Sequence, residues 1–233
     1  MVYFRKFFLW LLVGIFLNAN AKSPSDVIGE KLVFYAESFI GLPYDTIPIG
    51  KYVQDGVIID DSSFDCMSHT FRSLELALSN SEEEALENAL WVRFLTTGER
   101  VGNKVKSYGN RFEYGEDMAL SGKFGRLLSY EIGNLEITYS ERYKAGVPFV
   151  PIKNIKIDSL KTGDIIYFTN KKERRKAGEI VGHLGVIKKE GEFAYLIHAS
   201  GVKNKGGEVK KVLLENYLKE RQNIFEGILI TRL

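Results

Sequence analysis

The sequence predicts an α+β domain, and three observations carry that prediction. Helical patterning marks three segments between Ser23 and Leu95, strand patterning dominates from Val147 onward, and a short turn signal at Glu190-Gly191 separates two apolar runs. Helices first and an antiparallel sheet afterwards is the arrangement these features imply.

The first helix starts at Ser23-Pro24-Ser25-Asp26, with a capping serine and a proline in the first turn. Val27, Leu32, Tyr35, Ala36 and Phe39 form its apolar stripe, and Gly41-Leu42-Pro43 ends it. Residues 44–63 read as an irregular loop rich in Gly, Pro and Asp. Cys66 opens a second helix with apolar positions at Met67, Phe71, Leu74 and Leu78, and Ser62, Ser63 and Asp65 are candidates to cap it. Ser81 and Glu84 form a capping box for a third helix running through Leu95. The segment 98–146, with many glycines and short apolar runs, is expected to be an insertion shaping one side of a cleft. Strands follow at 165–168, 183–188, 193–199 and 208–212, then a short helix containing Tyr217 and a last strand over 224–230.

Residues 1–21 have the three parts of an export signal: Arg5 and Lys6, an apolar run from Phe7 to Leu17, and Ala19-Asn20-Ala21 as a cleavage pattern. The run is shorter than the roughly 20 residues a membrane-spanning helix needs, although an uncleaved anchor is the alternative. No cysteine follows the run to accept a lipid. The expectation is an exported protein, periplasmic or extracellular, whose mature residues 22–233 form a single domain. Removing Arg5 and Lys6 leaves 30 basic against 30 acidic residues, which offers no electrostatic case for nucleic acid. No membrane contact is expected after cleavage.

Cys66 is the only cysteine of the chain, so an exported protein with this sequence closes no internal disulfide. Its thiol is buried and inert, paired between molecules, or kept for chemistry. Two of the three histidines, His183 and His198, fall in the two strands beside Glu190-Gly191. A hairpin turning on those two residues sets His183 directly opposite His198, with both side chains on one sheet face. A register shifted by two would leave them diagonal neighbours on that same face.

One imidazole can then take the thiol proton while the other orients it. The start of a helix favours a thiolate at Cys66. Other readings of these residues are a cysteine buried as a small hydrophobe, or a zinc site with Cys66 as third ligand. His69, one turn beyond Cys66, is expected to be a surface or rim residue.

Gly41-Leu42-Pro43-Tyr44, Phe64-Asp65-Cys66, Gly163-Asp164-Ile165-Ile166, Gly182-His183-Leu184-Gly185-Val186 and Leu196-Ile197-His198-Ala199 resemble, in this order, the motifs of the NlpC/P60 cell-wall hydrolases. The long gap from Cys66 to His183 is similar to the N-acetylmuramoyl-L-alanine amidase-like branch. The resemblance covers 39–78 and 160–200 and implies a papain-like fold. It makes Cys66 the nucleophile, His183 the base and His198 the orienting residue. Tyr44 and Asp65 would line the substrate cleft, Asp65 toward a substrate amine or the helix terminus. Met67-Ser68 departs from the usual small Ser-Gly after the cysteine, and the glycine pair after the tyrosine motif is replaced by a long acidic loop.

The implied activity is a cysteine amidohydrolase acting on peptidoglycan fragments or the sacculus, with no cofactor or metal. Alternatives are a stem-peptide endopeptidase, an acyltransferase on the same scaffold, and a non-catalytic envelope-binding module.

Overall fold

The computed structural model describes residues 22–176 and 178–233, and the expected export signal lies outside them. Three long helices come first. Helix α1 (Pro24–Ser38) begins in a full capping box, with Ser23 Oγ accepting from the Asp26 N–H and the Asp26 carboxylate accepting at Ser23. Helix α2 (Lys51–Asp55) is one short turn inside the acidic loop, bracketed by Gly50 and Gly56. Helices α3 (Cys66–Ala77) and α4 (Glu82–Val92) follow; α4 stops short of the expected Leu95.

The segment 98–146 contains the small hairpin β1 (Arg100–Val101) and β2 (Lys104–Val105), then α5 (Gly115–Leu120), β3 (Arg126–Leu127), α6 (Ser129–Ile132) and β4 (Glu136–Thr138). The main sheet is completed by β5 (Val147–Pro151), β6 (Ile165–Asn170), β7 (Val181–Glu190), β8 (Phe193–Val202), β9 (Gly206–Leu213) and, after α7 (Leu214–Arg221), β10 (Phe225–Arg232). Its order is β4-β5-β10-β6-β7-β8-β9, antiparallel throughout, with β3 attached to the end of β10.

The sheet is buried on both faces, which explains why β6 reads as a continuous apolar run rather than an alternation. Ile165, Tyr167, Val186, Ile197 and Leu229 pack toward α1, α3 and α5. Ile166, Phe168, Ile187, Leu196 and Ile230 pack toward α6 and α7. Helix α3 lies against α1, α4, β7 and β8. Its Phe71 and Leu74 are at most 1 % exposed, and each such burial is worth about 1.5–3 kcal/mol. That packing, more than helix propensity, holds the start of α3 in place.

The hairpin β7–β8 departs from the expected register. Glu190 pairs with Phe193, so the turn residues are Gly191 and Glu192. Gly191 has φ +61° and no non-glycine residue among those described has positive φ, which is the pattern of a turn with glycine at its first central position. The ladder therefore runs two residues out from the one expected, with Val186 opposite Ile197. Gly185, not His183, comes level with His198, and a Cβ on Gly185 would lie 3.0 Å from His198 Cβ.

Candidate active site

Asp65 is the residue that starts α3. Its Oδ1 accepts from the Ser68 N–H at 2.8 Å while Ser68 Oγ accepts from the Asp65 N–H at 2.9 Å, a reciprocal cap that sets Cys66 at the first helical position. Ser68 thus has a structural use as the reciprocal partner of the Asp65 cap. Cys66 is half-buried and free. It lines a cleft of about 190 Å³ together with Met67, Tyr114, Gly115, His183 and Leu184. Met67, Glu113 and Tyr114 continue into a neighbouring cleft of about 260 Å³, which Asp65, Tyr52 and Arg111 also line. Residues of the 98–146 segment therefore form one wall of both clefts.

His183 Nε2 and His198 Nδ1 are 2.6 Å apart, and the ring planes cross at 78°. A tetrahedral zinc ion held at 2.0–2.1 Å by both nitrogens would keep them about 3.3 Å apart, so this spacing fits a shared proton rather than two ligands of one metal. Phe168, Tyr217 and Phe225 surround the pair, with Tyr217 edge-on to His198 at 5.0 Å. With Nε2 of His183 engaged by His198, its Nδ1 is the nitrogen left for other work.

Burial sets the protonation states. It pushes His183 down to about 4, with the Arg221 charge adding to the effect. It pushes His198 down to about 2, helped by His183 beside it. Both rings are neutral at pH 7, and His198 is the harder of the two to protonate. Its Nδ1 shares one proton with His183 Nε2, and its Nε2 is buried with no hydrogen-bond partner among the described residues.

Burial also pushes the Cys66 thiol up to about 12, and the Asp65 carboxylate adds to the rise. The Leu184 and Cys66 backbone N–H groups and the Lys203 ammonium oppose it without reversing it. The expected thiolate at rest is thus not what this environment favours. A helix terminus contributes about 0.3–1 kcal/mol, less than the cost of removing an anion from water.

Tyr44 is half-buried beside the site, its ring against Gly201, and burial raises its hydroxyl pKa above the ordinary range with the Cys66 charge adding to it. His69 is not a rim residue. It is fully buried between Phe39 and Phe64, its Nε2 bonded to the Ala36 carbonyl at 3.1 Å, so it ties α3 to α1.

The acidic loop 45–61 presents no open cluster of charge. Asp45 accepts from the Ile47 and Lys51 N–H groups, Asp55 and Asp60 pair with Lys51, and Asp61 pairs with Arg72. Sequence reasoning passed over three residues that matter here. Gly185 leaves room for His198, Tyr217 packs on both imidazoles, and Lys203 pairs with Asp65 at 3.0 Å. The glycine inside the His-Leu-Gly-Val strand was a signal for the first; nothing local marks Lys203.

No family model and no curated protein matches the chain. Solved structures do. One is an N-acetylmuramoyl-L-alanine amidase from Bacteroides uniformis, 21% identical, with a TM-score of 0.67 over 88% of this chain and 98% of that one. Another is protein LPG0564 from Legionella pneumophila, of the DUF1460 group, 18% identical, with a TM-score of 0.69 over 88% and 89%. A third is a Bacteroides fragilis protein provisionally called a xylanase, 19% identical, with a TM-score of 0.65 over 86% and 99%. At these identities the likeness is one of fold: the chain has the α+β architecture of these proteins over nearly their whole lengths.

Proposed function

We propose that the chain is an exported cysteine amidohydrolase that cleaves the amide joining N-acetylmuramic acid to L-alanine in peptidoglycan. The observation that carries the reading is the 2.6 Å bond between His183 Nε2 and His198 Nδ1, beside a cleft that Cys66 and His183 both line. The fold likeness to the Bacteroides uniformis amidase supports the choice of bond. The signal pattern in residues 1–21 supports export to the periplasm or beyond.

In this mechanism the thiol and imidazole meet as neutral groups, so the thiol proton moves to His183 Nδ1 as sulfur attacks the carbonyl. The resulting imidazolium donates its Nε2–H to His198, which stays neutral. The backbone N–H of Cys66, at the first helical position with no intrahelical acceptor, is suited to the oxyanion. His183 then protonates the departing alanine nitrogen, leaving a thioester on Cys66. Water, activated by the same imidazole, releases the acid. No step uses a metal or cofactor.

Digestion of purified sacculi and muropeptides, with mass identification of the fragments, tests the reading. Intact stem peptides released from sugar are expected. Fragments ending in D-glutamate with the sugar–alanine bond uncut would move the chain to the endopeptidase activity.

A further inference from the structure

Tyr44 and Asp65, the two residues expected to contact substrate, are both engaged by one side chain of this same chain. Lys203, just beyond β8 in the turn to β9, places Nζ 3.0 Å from Asp65 Oδ2 and 5.7 Å from the Tyr44 ring centroid. The other carboxylate oxygen of Asp65 takes the Ser68 N–H. The carboxylate lining the larger cleft thus already holds an ammonium.

We propose that Lys203 is a specificity-determining residue that disfavours substrates presenting a free amino terminus to the cleft and favours those that are uncharged there. The inference rests on reading this site as a peptidoglycan hydrolase site. If Asp65 is to meet a substrate's terminal ammonium, as the resemblance implies, its carboxylate must be free of another cation. Here a second ammonium would have to displace Lys203 or sit beside it, and like charges so placed repel. The sugar-linked acyl group of an uncut glycopeptide carries no positive charge and meets no such penalty. Lys203 is one-third exposed, so the block is electrostatic rather than a sealed wall.

The test measures binding without turnover, in a Cys66→Ala background, by calorimetry. The probes are the tripeptide L-alanyl-γ-D-glutamyl-diaminopimelate and its N-acetylated form. Lys203→Met is expected to tighten the free-amine peptide about tenfold and to change the acetylated one by less than twofold. An equal change in both peptides, or none in either, overturns the proposal.

A second measurement needs no Lys203 variant. The free amine has an ordinary pKa of about 8, so its peptide should bind more tightly at pH 9 than at pH 7 while the acetylated control does not. Flat binding of both forms would also overturn it. Failure of the amidase reading shows separately, in the sacculus digest.

Discussion

His183 Nε2 lies 2.6 Å from His198 Nδ1 although the two residues are not opposite one another in the β7–β8 ladder. The bond is diagonal, and it is possible because Gly185 presents no Cβ to His198. In the proposed mechanism Nε2 of His183 donates to His198 and Nδ1 is the nitrogen that accepts the thiol proton.

In the proposed mechanism His198 acts only as an acceptor, and an amide oxygen can replace it. His198→Asn should keep kcat within about tenfold of the native chain, whereas His198→Ala should lose about 10²–10⁴ in kcat. Steady-state kinetics on a purified muropeptide reads the difference. Equal losses in both variants would remove the orienting role.

Gly185→Ala should disturb the same pair from the opposite strand. The added Cβ would meet Ile197 O at 2.7 Å, Leu196 Cδ1 at 2.8 Å and His198 Cβ at 3.0 Å. A cost of about 1–3 kcal/mol is expected from such overpacking. Urea unfolding should show it, together with a fall in kcat larger than any change in KM.

Alkylation reports the state of the thiol. With Cys66 pushed up to about 12, iodoacetamide should label the folded protein slowly at pH 7 and faster with rising pH. Unfolded protein, with an ordinary thiol near pKa 8.5, should react more than about tenfold faster at pH 8. Rapid labelling of the folded chain at pH 7 would instead mark a thiolate at rest.

Acid should destabilise the fold through its histidines. Burial pushes His69 down to about 4, so the unfolded chain binds the proton first. The contribution to stability is complete above the unfolded value near 6.5 and is lost as pH falls from there through about 4. For His69 alone the loss is on the order of 2 kcal/mol by pH 5. His183 and His198 act in the same direction. Urea midpoints at pH 7 and pH 5 measure the total, and His69→Gln should reduce the difference between them.

By itself the sequence determined the local elements around the site. Ser23 and Asp65 start their helices because short polar side chains take the free N–H groups there, a rule that operates within four residues. The strands carrying His183 and His198 were legible from apolar runs, and their sharing of one face from the period of two. The register was not, because Glu190-Gly191 and Gly191-Glu192 are equally short turns. The backbone sign that glycine must adopt decides between them only once the strands pair.

Tertiary structure alone decided the charge states and the company each residue keeps. Cys66 opens a helix in either view, but burial decides that it rests as a thiol. His69 looks like a rim residue from its place beside Cys66, yet α1 and Phe64 enclose it. Lys203 stands 138 residues from Asp65 in the chain, and no spacing rule joins residues so far apart. Desolvation and long-range ion pairs depend on which segments meet, and only the folded chain supplies that.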